Sequence, residues 1–153
     1  MSQREQNFEE TLFQRIPQTK NLGIHIAKME EHQLTAHGDF LPNKNHLDIV
    51  FGGSIAAISI TTAWSLVQSK IEQAGLKGSL VIKRQEIDYL LPVKTDFECV
   101  ASFQSADDWD SFKKTYQEKG RARINVTAQI VSESKVTSRF KGVFVLYQAS
   151  HKE

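Results

Sequence analysis

The residues best placed for chemistry lie in one segment, Pro42-Asn43-Lys44-Asn45-His46-Leu47-Asp48-Ile49-Val50-Phe51-Gly52-Gly53-Ser54. A loop rich in side-chain donors and acceptors runs into a double glycine. A long uncharged stretch with helical character begins there. Glycine lets a ligand approach the backbone closely. The first N–H groups of a helix have no internal partners, and the helix dipole favours negative charge beside them. Gly52 and Gly53 could therefore hold a carbonyl oxygen as it becomes an oxyanion, with Phe51 and Ser54 flanking the bound group. The same glycines could equally serve only a tight loop-to-helix turn. Asn45 can contact a ligand or hold its own backbone in a turn. Asp48 is the only carboxylate of the loop, a candidate base or a solvated side chain, and His46 reads as loop-structuring. Further along, Ser59, Thr61 and Thr62 bring hydroxyls, which are poor bases without activation.

A metal is not expected. His25, His32, His37, His46 and His151 show no ligand spacing. Asp107, Asp108 and Asp110 read as charges at the start of a helix.

Several elements must position that loop. Phe8, Leu12, Phe13 and Ile16 have helical spacing, ended by Pro17. Residues 23–30 and 33–41 read as a hairpin turning at Glu31-His32, with Leu34, Ala36 and Phe40 on one face and Thr35, His37 and Asp39 on the other. The uncharged helix runs from the double glycine to about Ala74, closed by Gly75. Its small residues, on several faces, let a sheet come close. Residues 79–91 read as a strand bulged near Lys83 to Glu86, and Phe97, Cys99, Ala101 and Phe103 alternate as the next. A helix follows over 107–119, with Trp109, Phe112 and Tyr116 as its apolar stripe, a Ser105/Asp108 capping box and Gly120 as its stop. Ala122, Ile124, Val126, Ala128 and Ile130 alternate along a further strand. A turn at Ser132-Glu133-Ser134 leads to the last strand, 136–147. The fold class is α+β, one long central helix wrapped by a curved antiparallel sheet.

Composition narrows the partners. The 153 residues are 40% hydrophobic and 24% charged, and 19 Lys plus Arg balance 18 Asp plus Glu for a net charge of +1. Such a balance points to neither nucleic acid nor a membrane surface. Cys99 is the single cysteine, which is compatible with a cytoplasmic location. Residues 1–20 lack an apolar signal core. Ile49 to Ser69 holds no charge over 21 residues, but seven are Ser, Thr or Gln, so a helix buried in protein is expected rather than a membrane span. One domain over residues 1–153 is expected, without repeats.

Asn45 followed by Gly52-Gly53 at the opening of the long helix resembles the hotdog-fold acyl-CoA thioesterases of the phenylacetyl-CoA type. The fuller string from Asn45 through Phe51-Gly52-Gly53-Ser54, with Trp64 along the helix and Lys119-Gly120-Arg121-Ala122-Arg123-Ile124 later, resembles the YiiD C-terminal family of thioesterases. The likeness spans about Leu22 to Tyr147. It implies a hotdog fold, sites shared by two subunits of a homodimer or dimer of dimers, and an acyl-CoA or acyl-carrier thioester as substrate. Coenzyme A would enter only as part of that substrate, with no separate cofactor. By position, Asn45 would place the thioester or the attacking water and the Gly52 N–H would polarise the carbonyl. Ser59, Thr61 and Thr62 would come from the partner chain.

Two departures stand out. Phe51 occupies a place where those enzymes often carry His, and Ile60 falls where their helix carries a carboxylate, which leaves Asp48 as the candidate base. Arg121, Arg123, Arg139 and Lys141 could meet coenzyme A phosphates, or simply be the charged outer faces of strands. Trp64 reads as core packing. Three functions follow: a thioesterase, a non-catalytic acyl-thioester binding module favoured by Ile60, and a dehydratase or hydratase, ranked last for want of its His-plus-acid pair.

Overall fold

A computed structural model describes residues 1–148 of the chain; His151 lies outside them. The helices are α1 (Gln3–Arg15), α2 (Gln18–Asn21), α3 (Gly52–Gln73) and α4 (Asp108–Lys119). The strands are β1 (Ile24–Met29), β2 (Gln33–Gly38), β3 (Ser79–Tyr89), β4 (Phe97–Phe103), β5 (Arg121–Ser132) and β6 (Lys135–Tyr147). They form one antiparallel sheet in the order β1-β2-β4-β5-β6-β3. The α+β class, with one long helix against an antiparallel sheet, is as expected.

The reason is the composition of α3. Ile55, Ile58, Ser59, Thr61, Thr62, Ala63, Ser65, Leu66, Val67 and Ile71 are all buried, so the helix has no polar face to give to water. It packs against β2, β3, β4, β5 and β6. The buried hydroxyls of Thr61 and Thr62 donate to Ala57 and Ile58 carbonyls one turn back, at 2.7 Å each. Ser69 Oγ likewise donates to the Leu66 carbonyl at 2.8 Å, while the buried hydroxyls of Ser59 and Ser65 have no partner among the described residues. Among the described residues, no helix is long and apolar enough to cross a membrane.

The sheet's inner face supplies the other half of the core. Along β5 burial alternates strictly, with Ala122, Ile124, Val126, Ala128 and Ile130 inside. Phe140, Phe144 and Leu146 of β6 join them. Glu133 and Ser134 both adopt left-handed φ, 50° and 64°, which suits a two-residue hairpin between twisted strands. The β3 irregularity expected near Lys83 lies between Ile82 and Arg84.

Two carboxylates of α1 cover the edge strand β1. Glu9 Oε1 accepts from the Ile26 N–H at 2.8 Å and Glu5 Oε1 from the Met29 N–H at 3.1 Å. These donors would otherwise template pairing with another chain.

Three local expectations shift. The short α2 follows Pro17, where no helix was expected. β2 stops at Gly38, because the chain coils into a single 3-10 turn at Leu41–Asn43. Gly38 is needed there: a Cβ would lie 2.3 Å from the ring of Phe97, its partner on β4. Half of the capping box forms. The Asp108 carboxylate accepts from the Ser105 N–H at 2.8 Å, but the residue capping α4 is Asp107.

Ile58 is fully buried on α3. Ile58→Ala should destabilise the fold by about 2–5 kcal/mol through lost burial and the cavity left behind. Urea unfolding of the two proteins, with unchanged m-value, measures it.

Candidate functional site

The loop from Lys44 to Val50 closes on itself, with an isolated bridge between those two residues. The Asn45 N–H donates to the Ile49 carbonyl at 2.8 Å. Asn45 Oδ1 accepts from the N–H groups of Leu47 at 2.8 Å and Ile49 at 3.4 Å. Asn45 therefore is a turn former. Its Nδ2 makes no hydrogen bond among the described residues, and the residue also lines the cleft described below, so the turn role leaves one donor free.

Asn43, which sequence reasoning passed over, is the buried anchor of the loop. Its Nδ2 donates to the carbonyls of Leu22 at 2.6 Å and Asp39 at 2.8 Å. Its own carbonyl accepts from the Phe51 N–H at 2.8 Å. Phe51 is thereby fixed at extended dihedrals, φ −61° and ψ 134°, as the residue before α3. The only hint in the sequence was an Asn after proline, which is common in unburied turns as well.

At the start of α3, Ser54 and Ile55 donate to the Phe51 carbonyl. The N–H groups of Gly52 and Gly53 have no partner among the described residues. Neither glycine has positive φ, so left-handed geometry does not require them. Close approach is the reason at Gly53, where a Cβ would lie 2.4 Å from the Phe51 ring; at Gly52 a Cβ would meet only the Tyr89 ring at an ordinary 3.6 Å.

Gly52 and Asn45 share a cleft of about 340 Å³. Its walls are mostly apolar, with Ile55 from α3 and Leu90, Leu91 and Val93 from the segment after β3. Tyr89, absent from the sequence-based candidates, joins it and donates its phenol to the Gly52 carbonyl at 3.2 Å. A carbonyl or anion at the helix start would meet the free Gly52 N–H in a largely apolar surround, where such a donor acts most strongly, with the Gly53 N–H adjacent.

The remaining candidates are dispersed. Asp48 sits at φ 57°, pairs with Lys44 at 3.1 Å and leaves 78% of its side chain exposed. Phe51 and Gly53 are exposed beside the cleft, and Ser54 is buried in the first turn. Ser59 and Thr62 are fully buried and Thr61 nearly so, within this chain's own core. Ile60 is half-buried on a stripe with Ala56, Trp64 and Gln68. Trp64 Nε1 donates to the Leu80 carbonyl at 3.3 Å, tying α3 to β3.

This architecture is the hotdog fold. Solved structures of similar shape include a protein of unknown function from Chlorobaculum tepidum, with TM-score 0.88, 20% identity and 96% of each chain covered. A "putative thioesterase" from Shewanella oneidensis has TM-score 0.81 and 22% identity, over 96% of this chain and 99% of the other. A thioesterase from Haemophilus influenzae has TM-score 0.73 and 17% identity, over 94% of each. The chain itself belongs to the family described as "Putative thioesterase (yiiD_Cterm)", which matches residues 5–148.

The buried thiol belongs to the core rather than to this cleft. Burial pushes Cys99 up to about 11, and the facing hydroxyls of Thr62 and Ser59 offset only part of that. Ser59 Oγ faces the sulfur without a hydrogen bond of normal geometry. The native protein should resist alkylation by iodoacetamide at mildly alkaline pH, while the urea-unfolded chain reacts at once. The proton held more tightly in the folded state also sets a sign. Its stabilising contribution is full below the unfolded value near 9.0 and fades as pH rises toward 11. Cys99→Ser should flatten that part of the pH–stability curve.

Proposed function

We propose that the chain hydrolyses acyl thioesters of coenzyme A or of a carrier protein. The observation that carries this reading is the unpartnered N–H of Gly52 in an apolar cleft, with the unpartnered N–H of Gly53 exposed beside it. The thioester carbonyl would lie against one of them, with Asn45 Nδ2 in contact and the acyl group along Ile55, Leu90, Leu91 and Val93. The donors are in place before reaction, so the developing oxyanion needs little reorganisation.

The site is proposed to be completed in a homodimer, as such or within a dimer of dimers. β3 is an edge of the sheet, and Val81, Ile82, Leu47, Phe51, Tyr89, Leu90 and Leu91 are exposed around it and the loop. Ile60 lies about 12 Å along α3 from Gly52 at ~1.5 Å per residue, so it meets a carbonyl at the helix start only across such an interface. Sedimentation equilibrium should show a species of at least twice 17.4 kDa. A monomer at micromolar concentration would remove the shared site.

A second reading is a non-catalytic acyl-thioester binding module. It is favoured by the cleft's lining, which includes no Asp, Glu or His. Asp48, the proposed base, points to solvent beside Lys44 and would need a partner subunit to bring it to the water. A screen of acyl-CoA lengths with thiol release as readout separates the readings. A flat response with tight acyl-CoA binding selects the binding module.

Gly52→Pro tests the oxyanion donor with little damage to the helix. Proline is tolerated at the first helical position, Phe51 already has the extended backbone that precedes proline, and a Cβ at Gly52 meets only the Tyr89 ring, at an ordinary 3.6 Å. Turnover should fall roughly 100- to 1,000-fold if the Gly52 N–H binds the oxyanion. Wild-type turnover in the folded variant would move the assignment to Gly53. If Asn45→Ala and Asp48→Asn, both folded, also hydrolyse the best substrate at the wild-type rate, their proposed roles are wrong.

A further inference from the structure

The pairing of β1 with β2 sets His25 directly opposite His37, and that of β2 with β4 sets His37 opposite Glu98. Their side chains stand on the outer face of the sheet, away from α3. The ends of these strands add Asp39 and Asp96. Asp39 Oδ1 lies 3.5 Å and Asp96 Oδ2 3.9 Å from His37 Nε2. Neither contact is a hydrogen bond. The three atoms converge on a common space, within 4.8 Å of one another.

Each carboxylate is held by its other oxygen. Asp39 Oδ2 meets His25 Nε2 at 2.9 Å, and Asp96 Oδ1 accepts from the Phe40 N–H at 2.8 Å. Behind His25, Glu9 Oε1 stands 3.7 Å from Nδ1. No Lys or Arg forms an ion pair with Glu9, Asp39 or Asp96 among the described residues. Among the described residues, the two histidines are the only ionisable cation-forming groups paired with these carboxylates.

We propose that His37 Nε2, Asp39 Oδ1 and Asp96 Oδ2 form a surface site for a divalent transition-metal ion, with Zn²⁺ its best occupant. Bonds of about 2.0–2.2 Å from nitrogen and oxygen to Zn²⁺ set neighbouring ligands of a tetrahedron about 3.3–3.5 Å apart. The two His37 contacts, 3.5 and 3.9 Å, are near that spacing, and rotation of the partly exposed carboxylates about the oxygens already held would bring all three atoms, now within 4.8 Å, to it. Water completes the coordination. An imidazole with two carboxylates favours Zn²⁺ over the hard cations Ca²⁺ and Mg²⁺, which take oxygen alone. His25, with Nε2 2.9 Å from Asp39 Oδ2, is the outer support that orients this ligand. The ion would clip the end of β2 to the start of β4. The site stands apart from the cleft at α3 and does not depend on the thioesterase reading.

Isothermal titration of tag-free, chelator-treated protein with ZnCl₂ at neutral pH tests this, with MgCl₂ as control. The expected result is one Zn²⁺ per chain, no Mg²⁺ binding, and a higher unfolding midpoint with Zn²⁺. Asp96→Asn and His37→Ala should each weaken binding at least about tenfold, and His25→Ala by roughly 10- to 100-fold as a supporting residue. Circular dichroism confirms that each variant is folded. Absence of Zn²⁺ binding to the wild-type protein overturns the proposal. So does undiminished binding in folded His37→Ala, which would place the ion elsewhere.

Discussion

A 22-residue helix without a polar face cannot stand in water. α3 must be covered around most of its circumference, and everything else in the chain follows from that burden. A flat sheet touches one side of a helix; contact with five strands requires one that wraps. Close wrapping in turn requires small groups where helix and sheet meet. Ser59, Thr62 and Ala63 on α3 are fully buried, as are Cys99 and Ala101 on β4. Larger residues there would push the helix off the sheet and open the core.

The same constraint locates the cleft. A wrapped helix can meet solvent only at its ends and along whatever stripe the sheet leaves open. At the C-terminal end, Lys70 and Glu72 return the chain to water, and Lys70 lies over the Trp109 ring at 5.5 Å. At the N-terminal end there is no charge, no side-chain cap and two glycines. A helix start in that state leaves its donors unsatisfied, which costs stability unless water or a ligand reaches them. The open stripe of Ala56, Ile60 and Trp64 runs beside edge strand β3, so the uncovered parts of α3 and of the sheet adjoin one another.

The parts of this fold written as periodicity were legible in the sequence. β5 alternates along its length, α3 lacks charge over about its first five turns, and Gly75 and Gly120, with φ of 65° and 69°, mark two helix ends. The hairpin at Glu133-Ser134 was readable from turn-forming residues alone. What escaped depends on register and on distance in the chain. His25 and His37 are twelve positions apart, a spacing with no ligand pattern, and meet only because β1 pairs with β2 in one particular register. Asp96 joins them from the far side of α3 in sequence. Tyr89 reaches Gly52 by a similar route, and Asn43 reads as one more turn residue until its burial is known. Asn45 shows the opposite limit: its turn role uses the side-chain oxygen, and the residue still lines the cleft, so the turn does not exclude a ligand contact.

On the thioesterase reading, Ile60 stands where the family resemblance implies a carboxylate, and that bears on how the proposed chemistry would run. Oxyanion stabilisation and a general base are separate contributions. A positioned base typically supplies roughly 100- to 10,000-fold, while donors and binding alone retain about 1,000- to 10,000-fold over water when the acid–base machinery of a triad enzyme is removed. On the thioesterase reading, a helix start with two free donors but an apolar wall at position 60 keeps the second contribution and lacks the first. Such a site favours long residence of the acyl thioester over fast release of the thiol. Slow hydrolysis and non-catalytic binding therefore differ here by one group, a base delivered to the water, and Asp48 supplies it only if assembly turns the exposed loop toward the neighbouring helix.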